Sequence, residues 1–204
     1  MTSVATLNHR WIRWGGLGCA ALVCACLSGP PGGRLEPPRF ESHSPGAPVF
    51  QSDAAPLFVL EDEQGQATAL DAQLPHGPVV LYFYRGTWCR FCMKQLDELA
   101  QRHGEFERRG ATVLAISADD QATSRALRDE RDIPFPLLED PGARVADLFG
   151  VAMKDVDYAI PAAFVVDTAG AIRWRYVGER APDRPTVDVV LEVLDRLRPP
   201  VADR

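Results

Sequence analysis

The chain has 204 residues, of which 46% are hydrophobic and 25% charged, so it can hold one globular domain of ordinary core size plus extensions. Its formal net charge is −6. Because an acidic domain repels the phosphate backbone, we expect no nucleic-acid partner.

The N-terminus has the pattern of a targeting segment. Arg10 and Arg13 precede an uncharged, mostly apolar run over residues 15–27, which has the length of a signal-peptide core and is short for a membrane span. The run Val23–Cys26 resembles a bacterial lipoprotein signal with Cys26 as the lipidated residue; lipidation, simple cleavage and an uncleaved anchor stay open. Each version predicts an exported domain, periplasmic or membrane-anchored and facing the periplasm or the outside.

Composition then divides the rest of the chain. The predicted divisions are a signal or anchor over 1–27, a disordered Pro/Gly-rich linker over 28–47, a redox domain over 48–198 and a C-terminal tail over 199–204.

Apolar periodicity within 48–198 predicts an α/β domain. The predicted elements in chain order are a hairpin across 57–70, a strand at 78–84, a helix at 89–108, a strand at 111–116, helices at 120–132 and 143–149, a strand at 162–166, an antiparallel strand at 171–177 and a helix at 187–197. In the helix at 143–149, we expect Val145, Leu148 and Phe149 to face inward. Strands that alternate with helices predict a layered sheet.

Two of the five cysteines, Cys89 and Cys92, are the candidate reactive residues, and they are separated in sequence from the three near the N-terminus. Cys89 follows the central strand and opens a helix, where unpaired backbone N–H groups stabilise a thiolate. Cys92 lies nearly one turn further on, within reach of the Cys89 sulfur. The spacing therefore predicts attack by Cys89, a mixed disulfide or sulfenic acid, and resolution by Cys92. Arg85 and Arg90 lie close enough in sequence to add positive charge.

Other uses of this cysteine pair have less support in the sequence. A zinc site needs two more ligands, and His76 and His103 do not form a second pair at suitable spacing. A permanent structural disulfide gains little from so short a loop. Cys89, Cys92 and Met93 also offer soft ligands, which leaves a copper or other soft-metal carrier as a lesser alternative. We expect no cofactor and no resident metal.

Two segments resemble the thioredoxin-fold superfamily. The run Trp88–Cys92 (WCRFC) resembles the thioredoxin active site, with Arg-Phe in place of Gly-Pro. The run 160–167 (IPAAFVVD) resembles the strand that follows a cis-proline. The resemblance implies that Pro161 is cis and presents backbone beside the cysteines for pairing with a bound peptide. The aromatic ring of Trp88, next to Cys89, is expected to shield the disulfide, to pack, or to do both.

The rest of the body resembles the alkyl hydroperoxide reductase/thiol-specific antioxidant family, and more narrowly its peroxiredoxin-like members. The matching runs are 78–89, 137–141, 148–151 and 176–178. The resemblance spans roughly 48–198. It implies a thioredoxin-like α/β fold, with a central mixed β-sheet flanked by helices and an N-terminal β-hairpin extension.

The chain departs from both patterns at supporting positions. Peroxiredoxins have Thr or Ser where this chain has Gly86, although Thr87 is adjacent, and they have Arg where this chain has Pro161. Arg85 is the candidate replacement for that arginine. The acid that thioredoxin carries six residues before its first cysteine is Phe83 here.

These observations predict a thiol-disulfide oxidoreductase that cycles Cys89 and Cys92 and reduces protein disulfides, with a role in cell redox homeostasis. The alternative is a peroxiredoxin-like antioxidant peroxidase, in which Cys89 attacks a hydroperoxide and Cys92 resolves it. Either function requires a thiol electron donor, and the N-terminus leaves membrane anchoring open as a further partner.

Overall fold

The computed structural model describes residues 53–180 and 182–197. The predicted signal or anchor, the linker and the C-terminal tail, together with Cys26, lie outside these residues and stay predictions. None of the helices in the described ranges is long and apolar enough to cross a membrane.

The strands of the described ranges form one mixed sheet in the order β2-β1-β5-β4-β3-β6-β7. The strands are β1 (Val59–Asp62), β2 (Ala67–Ala69), β3 (Val79–Phe83), β4 (Thr112–Ser117), β5 (Leu137–Glu139), β6 (Ala162–Val166) and β7 (Ile172–Val177). This sheet and its N-terminal hairpin, β1–β2, confirm the predicted fold class.

Helices cover both faces of the sheet. They are α1 (Leu70–Gln73), α2 (Arg90–Gln101), α3 (His103–Glu107), α4 (Gln121–Arg131), α5 (Arg144–Leu148) and α6 (Val187–Leu197), with short 3-10 turns at Leu74–His76 and Pro141–Ala143.

The central strand β3 explains the layering. All five of its residues are buried, because the run is apolar throughout and both faces are covered. It pairs in parallel with β4, Leu81 opposite Leu114, and antiparallel with β6, Leu81 opposite Phe164. Val80 and Tyr82 pack into the core on one face, while Leu81 packs into the core on the other. The carboxyl ends of β3 and β4 therefore lie at the same edge of the sheet.

Two local predictions need correction, and two short elements are additional to those predicted. The helix predicted over 89–108 is two helices, because Arg102 leaves helical geometry at φ −108° and ψ 11° between α2 and α3. Leu148, predicted to face inward, is 53% exposed. Strand β5 and helix α1 were not predicted, since elements of three and four residues are too short for a period to be visible.

Candidate active site

The loop between β3 and α2 carries the cysteine pair. Cys89 is the N-cap of α2, with extended backbone at φ −91° and ψ 102°. Its carbonyl oxygen accepts the N–H groups of Cys92 at 2.9 Å and Met93 at 3.0 Å, so the chain turns into the helix directly after the nucleophile. The thiol of Cys89 thus lies at the positive end of the helix dipole.

Both thiols are free and buried, with Cys89 5% and Cys92 0% exposed. Burial opposes ionisation of Cys89, but a hydrogen bond from the Cys92 thiol, the backbone N–H of Cys92 and the charge of Arg184 together lower the pKa of Cys89. Burial and the same thiol–thiol hydrogen bond raise the pKa of Cys92. These opposite shifts make Cys89 the thiol that ionises more readily and Cys92 the thiol that keeps its proton more readily.

Arg184 is the cation of this site. Its Nη2 donates to the Cys92 sulfur at 3.0 Å and lies 3.7 Å from the Cys89 sulfur. The guanidinium is closer to Cys92, yet the pKa of Cys89 is the one that is lowered, because burial and the hydrogen bond between the two thiols raise the pKa of Cys92 while that hydrogen bond lowers the pKa of Cys89. The charge of Arg184 lowers the pKa of Cys89 and opposes the rise in the pKa of Cys92.

A hydrogen-bonded connection between β7 and α6 positions Arg184. The preceding residue, Asp183, accepts hydrogen bonds from the hydroxyl of Tyr176 and from the backbone N–H of Glu179, the latter at 2.9 Å. Gly178 lets the two ends of this segment approach each other: a Cβ at that residue would lie 2.4 Å from the Asp183 carbonyl oxygen. No local pattern in the sequence points to Arg184, because it lies 92 positions from Cys92 and outside any recognisable motif.

Arg85 does not supply the cation that sequence analysis assigned to it. Its guanidinium lies 4.5 Å from the centroid of the Trp88 ring and 5.1 Å from that of Tyr158, and it donates to the Tyr158 hydroxyl at 3.2 Å. Only its backbone N–H reaches the dithiol, donating to the Cys92 sulfur at 3.4 Å. Trp88 packs edge-on against Tyr158 and stays 58% exposed, so it flanks the site without covering it completely.

Gly86 and Thr87 sit against an aspartate that the sequence analysis did not single out. The backbone N–H of Thr87 donates to Asp119 Oδ2 at 2.9 Å. Asp119 follows β4 by two residues, and the same oxygen accepts the Ser117 hydroxyl at 3.2 Å. The hydroxyl that peroxiredoxins carry at position 86 is therefore replaced by a glycine beside a carboxylate.

Pro161 departs from the role that the thioredoxin resemblance implied. Within residues 53–180 and 182–197 every peptide bond is trans, so the expectation of a cis-proline is wrong. The Pro161 carbonyl accepts the Gly178 N–H at 2.8 Å, and the Ile160 N–H donates to the Val151 carbonyl at 2.6 Å. These backbone groups are used inside the domain, which opposes their pairing with a bound peptide.

The soft-metal alternative gains no further ligand from the fold. Across the part of the chain that the structure describes, no three His, Cys, Asp or Glu side chains gather closely enough to hold an ion. Met93 follows the pair but is buried in the core with α2.

Comparisons with known proteins agree with this architecture. The family model "AhpC/TSA family" matches residues 52–175. The chain is similar to the chloroplastic peroxiredoxin Q of Suaeda salsa, with 31% identity over 162 residues, which cover 78% of this chain and 74% of that protein. It is 33% identical to the chloroplastic peroxiredoxin Q of Arabidopsis thaliana over 150 residues, 72% of this chain and 68% of that protein.

A solved structure gives the same result. The crystal structure of the peroxidoxin BcpB from Mycobacterium tuberculosis matches with a TM-score of 0.68 and 27% identity, over 74% of this chain and 99% of that one. The seven-stranded sheet flanked by helices is therefore an arrangement that this chain shares with a peroxidoxin.

The comparisons contradict the localisation predicted from the N-terminus. The similar peroxiredoxins Q from Suaeda salsa and Arabidopsis thaliana are named chloroplastic, which is an organellar address. The expectation of an exported domain, in the periplasm or anchored to a membrane facing it, is therefore wrong.

The comparisons also reverse the order of the two predicted functions. The relatives and structural neighbours named above are peroxiredoxins, so the peroxiredoxin-like peroxidase fits them better than a reductase of protein disulfides. A thiol-dependent oxidoreductase is common to both functions. With its matched residues, its relatives and its free dithiol at the start of α2, the chain belongs to the AhpC/TSA family.

Proposed function

We propose that this chain is a hydroperoxide reductase in which Cys89 is the peroxidatic cysteine and Cys92 the resolving one. The observation that carries the proposal is a pair of free thiols within reach of one guanidinium, Arg184, in which the pKa of Cys89 is lowered and that of Cys92 is raised. A peroxidase needs this asymmetry, because one sulfur must attack as an anion while the other waits.

The first step uses the charge distribution of the site. The Cys89 thiolate attacks the terminal oxygen of the hydroperoxide, the O–O bond breaks, and Cys89 becomes a sulfenic acid while the alkoxide leaves and takes a proton. Arg184 lies within 4 Å of both sulfurs and counters the negative charge that moves from sulfur to oxygen.

The second step needs little movement of the helix. Cys89 is the N-cap of α2 and Cys92 lies in its first turn, so their sulfurs already meet. Cys92 attacks the sulfenic sulfur, the S–O bond breaks, a disulfide forms, and the Cys92 proton leaves with the hydroxide as water. Two electrons and two protons from an external thiol donor then restore the dithiol.

Reduction of protein disulfides is the second candidate. The exposed ring of Trp88 beside Cys89 favours contact with a protein partner. Against it, the backbone of Ile160 and Pro161 is occupied by Val151 and Gly178.

The two candidates separate in one experiment. Reduced protein is mixed rapidly with hydrogen peroxide and, separately, with oxidised insulin, and loss of the Cys89 thiol is followed by quenched alkylation and mass spectrometry. We expect peroxide to oxidise Cys89 far faster than it oxidises free cysteine, and insulin to react slowly. Fast oxidation by insulin with slow oxidation by peroxide would reject the peroxidase in favour of the disulfide reductase.

A further inference from the structure

The backbone between β3 and Cys89 is held at four points. Tyr84 N–H donates to the Ile116 carbonyl at 3.0 Å, Arg85 N–H to the Cys92 sulfur at 3.4 Å, and Cys89 N–H to the Gly86 carbonyl at 3.1 Å. The fourth is the bond from Thr87 N–H to Asp119. In this fourth bond, a carboxylate that follows β4 accepts a hydrogen bond from the loop two residues before Cys89.

The Asp119 carboxylate is itself fixed. Its Oδ2 accepts the Ser117 hydroxyl at 3.2 Å, and the Ser117 hydroxyl oxygen in turn accepts the Asp119 N–H at 3.2 Å. Its Oδ1 lies against Gly86: a Cβ at residue 86 would stand 2.9 Å from that oxygen and 2.7 Å from Nε1 of Trp88. Gly86 also has φ +138°, a conformation that other residues rarely adopt.

This carboxylate is costly to keep charged. Burial raises the pKa of Asp119, and the hydrogen bonds from Thr87 and Ser117 only partly oppose this effect. A raised carboxyl pKa means that folding favours the protonated form, so stability is lost as pH rises from the ordinary carboxyl pKa through the raised one. A group that costs stability at neutral pH and contacts the reactive loop has the pattern of a residue kept for activity.

We propose that Asp119 is a positioning residue for Cys89. Its carboxylate holds the backbone N–H of Thr87 and packs against Gly86, so that the Cys89 thiol stays at the start of α2. The inference deepens the proposed function, but it concerns the reactivity of Cys89 toward any electrophile. Iodoacetamide therefore tests it even if hydroperoxides are not the substrate.

The test compares two neighbouring carboxylates in the full-length reduced protein. Asp119→Asn removes the negative charge and weakens the hydrogen bond from Thr87 N–H, because an amide oxygen is a weaker acceptor than a carboxylate oxygen. The control is Asp120→Ala: Asp120 is exposed and caps α4 by accepting the Thr123 N–H at 2.7 Å, away from the dithiol. Rates of Cys89 alkylation by iodoacetamide, rates of oxidation by hydrogen peroxide, and Tm are measured for both variants.

We expect Asp119→Asn to slow Cys89 alkylation at least about tenfold, since a small misplacement of a reacting group has effects of that size. Its Tm should equal or exceed that of the wild type. Asp120→Ala should lower Tm through loss of the cap while Cys89 reacts at the wild-type rate. If Cys89 in Asp119→Asn is alkylated at the wild-type rate, the inference is overturned. A variant whose Tm falls together with its Cys89 reactivity would also overturn it, because this result indicates a structural role. If hydrogen peroxide does not oxidise wild-type Cys89, yet Asp119→Asn slows the alkylation of Cys89 by iodoacetamide, the proposed function fails and this inference stands.

Discussion

Cys89 and Cys92 are chemically alike in the sequence but different in the folded protein. Burial acts on both, and their mutual hydrogen bond lowers the pKa of Cys89 and raises that of Cys92. The helix start adds positive potential at Cys89, which is its N-cap. Local position along α2 therefore decides which thiol ionises more readily, and in the proposed mechanism that thiol attacks and the other resolves.

Arg184 provides a test at the scale of one residue. Arg184→Gln removes the cation, so the pKa of Cys89 should rise and its oxidation by peroxide near neutral pH should slow at least about tenfold. The pH dependence of Cys89 alkylation measures the first effect and stopped-flow oxidation the second.

The matched control is Arg144→Gln. Arg144 is an exposed arginine that donates to the Pro141 carbonyl and has no role at the dithiol. Its variant should react like the wild type. An alkylation profile of Arg184→Gln that coincides with that of Arg144→Gln would contradict the assignment.

Prediction from sequence succeeded for contacts within a few residues. Cys89 and Cys92 could be paired because three positions on a helix start bring two thiols together. Arg184 could not be found, because its contact with Cys92 spans 92 positions and depends on the turn after β7. Asp119 lies 32 positions from Thr87 and is brought to it by the pairing of β3 with β4.

At the scale of elements, the long apolar strands and the amphipathic helices α2, α4 and α6 could be predicted from their periods. The break at Arg102 could not, because the apolar spacing continues through it to Phe106, which is fully buried. Spacing alone places Leu148 inward, but the last two residues of α5, Asp147 and Leu148, are exposed, and Phe149 directly after them is buried instead.

The connection between β7 and α6 can be tested with a pair of glycine substitutions. In Gly178→Ala, the new Cβ would lie 2.4 Å from the Asp183 carbonyl oxygen, so the segment that carries Arg184 must shift. We expect a loss of about 1–3 kcal/mol in unfolding free energy and a higher pKa for Cys89.

Gly104→Ala is the control, because its Cβ meets nothing nearer than the end of the Arg108 side chain at 3.6 Å and lies inside α3. This variant should gain up to about 1 kcal/mol from helix propensity and leave Cys89 unchanged. Denaturant unfolding and alkylation profiles measure both variants. An unchanged Cys89 profile in Gly178→Ala would show that this connection does not position the cation.

At the scale of the whole molecule, the site lies where the parallel strands β3 and β4 end. The cysteine loop follows β3, Asp119 follows β4, and Arg184 arrives from the connection after β7. Groups from separate parts of the chain converge at the carboxyl edge of the sheet, which is where open α/β sheets place their ligands.

The lowered pKa of Cys89 should make the stability of the reduced protein depend on pH. Folding lowers the pKa of Cys89, so ionisation of this thiol adds nothing to the free energy of unfolding below the folded pKa. Its contribution to that free energy then grows as pH rises toward the ordinary thiol pKa. Cys92 has a raised pKa and stays protonated in this range. The Tm of reduced wild type minus that of Cys89→Ser should therefore increase from about pH 5 to about pH 8. A difference that is constant or falls over this range would contradict a thiolate at Cys89.

The measurement that bears most directly on the peroxidase is the mass of the Cys92→Ser protein after one equivalent of hydrogen peroxide. Without the resolving thiol, the sulfenic acid should persist, and a dimedone adduct should form on the tryptic peptide that contains Cys89. We predict one added oxygen at Cys89, formed much faster than at free cysteine. An unmodified Cys89, or oxidation no faster than that of free cysteine, would contradict the account.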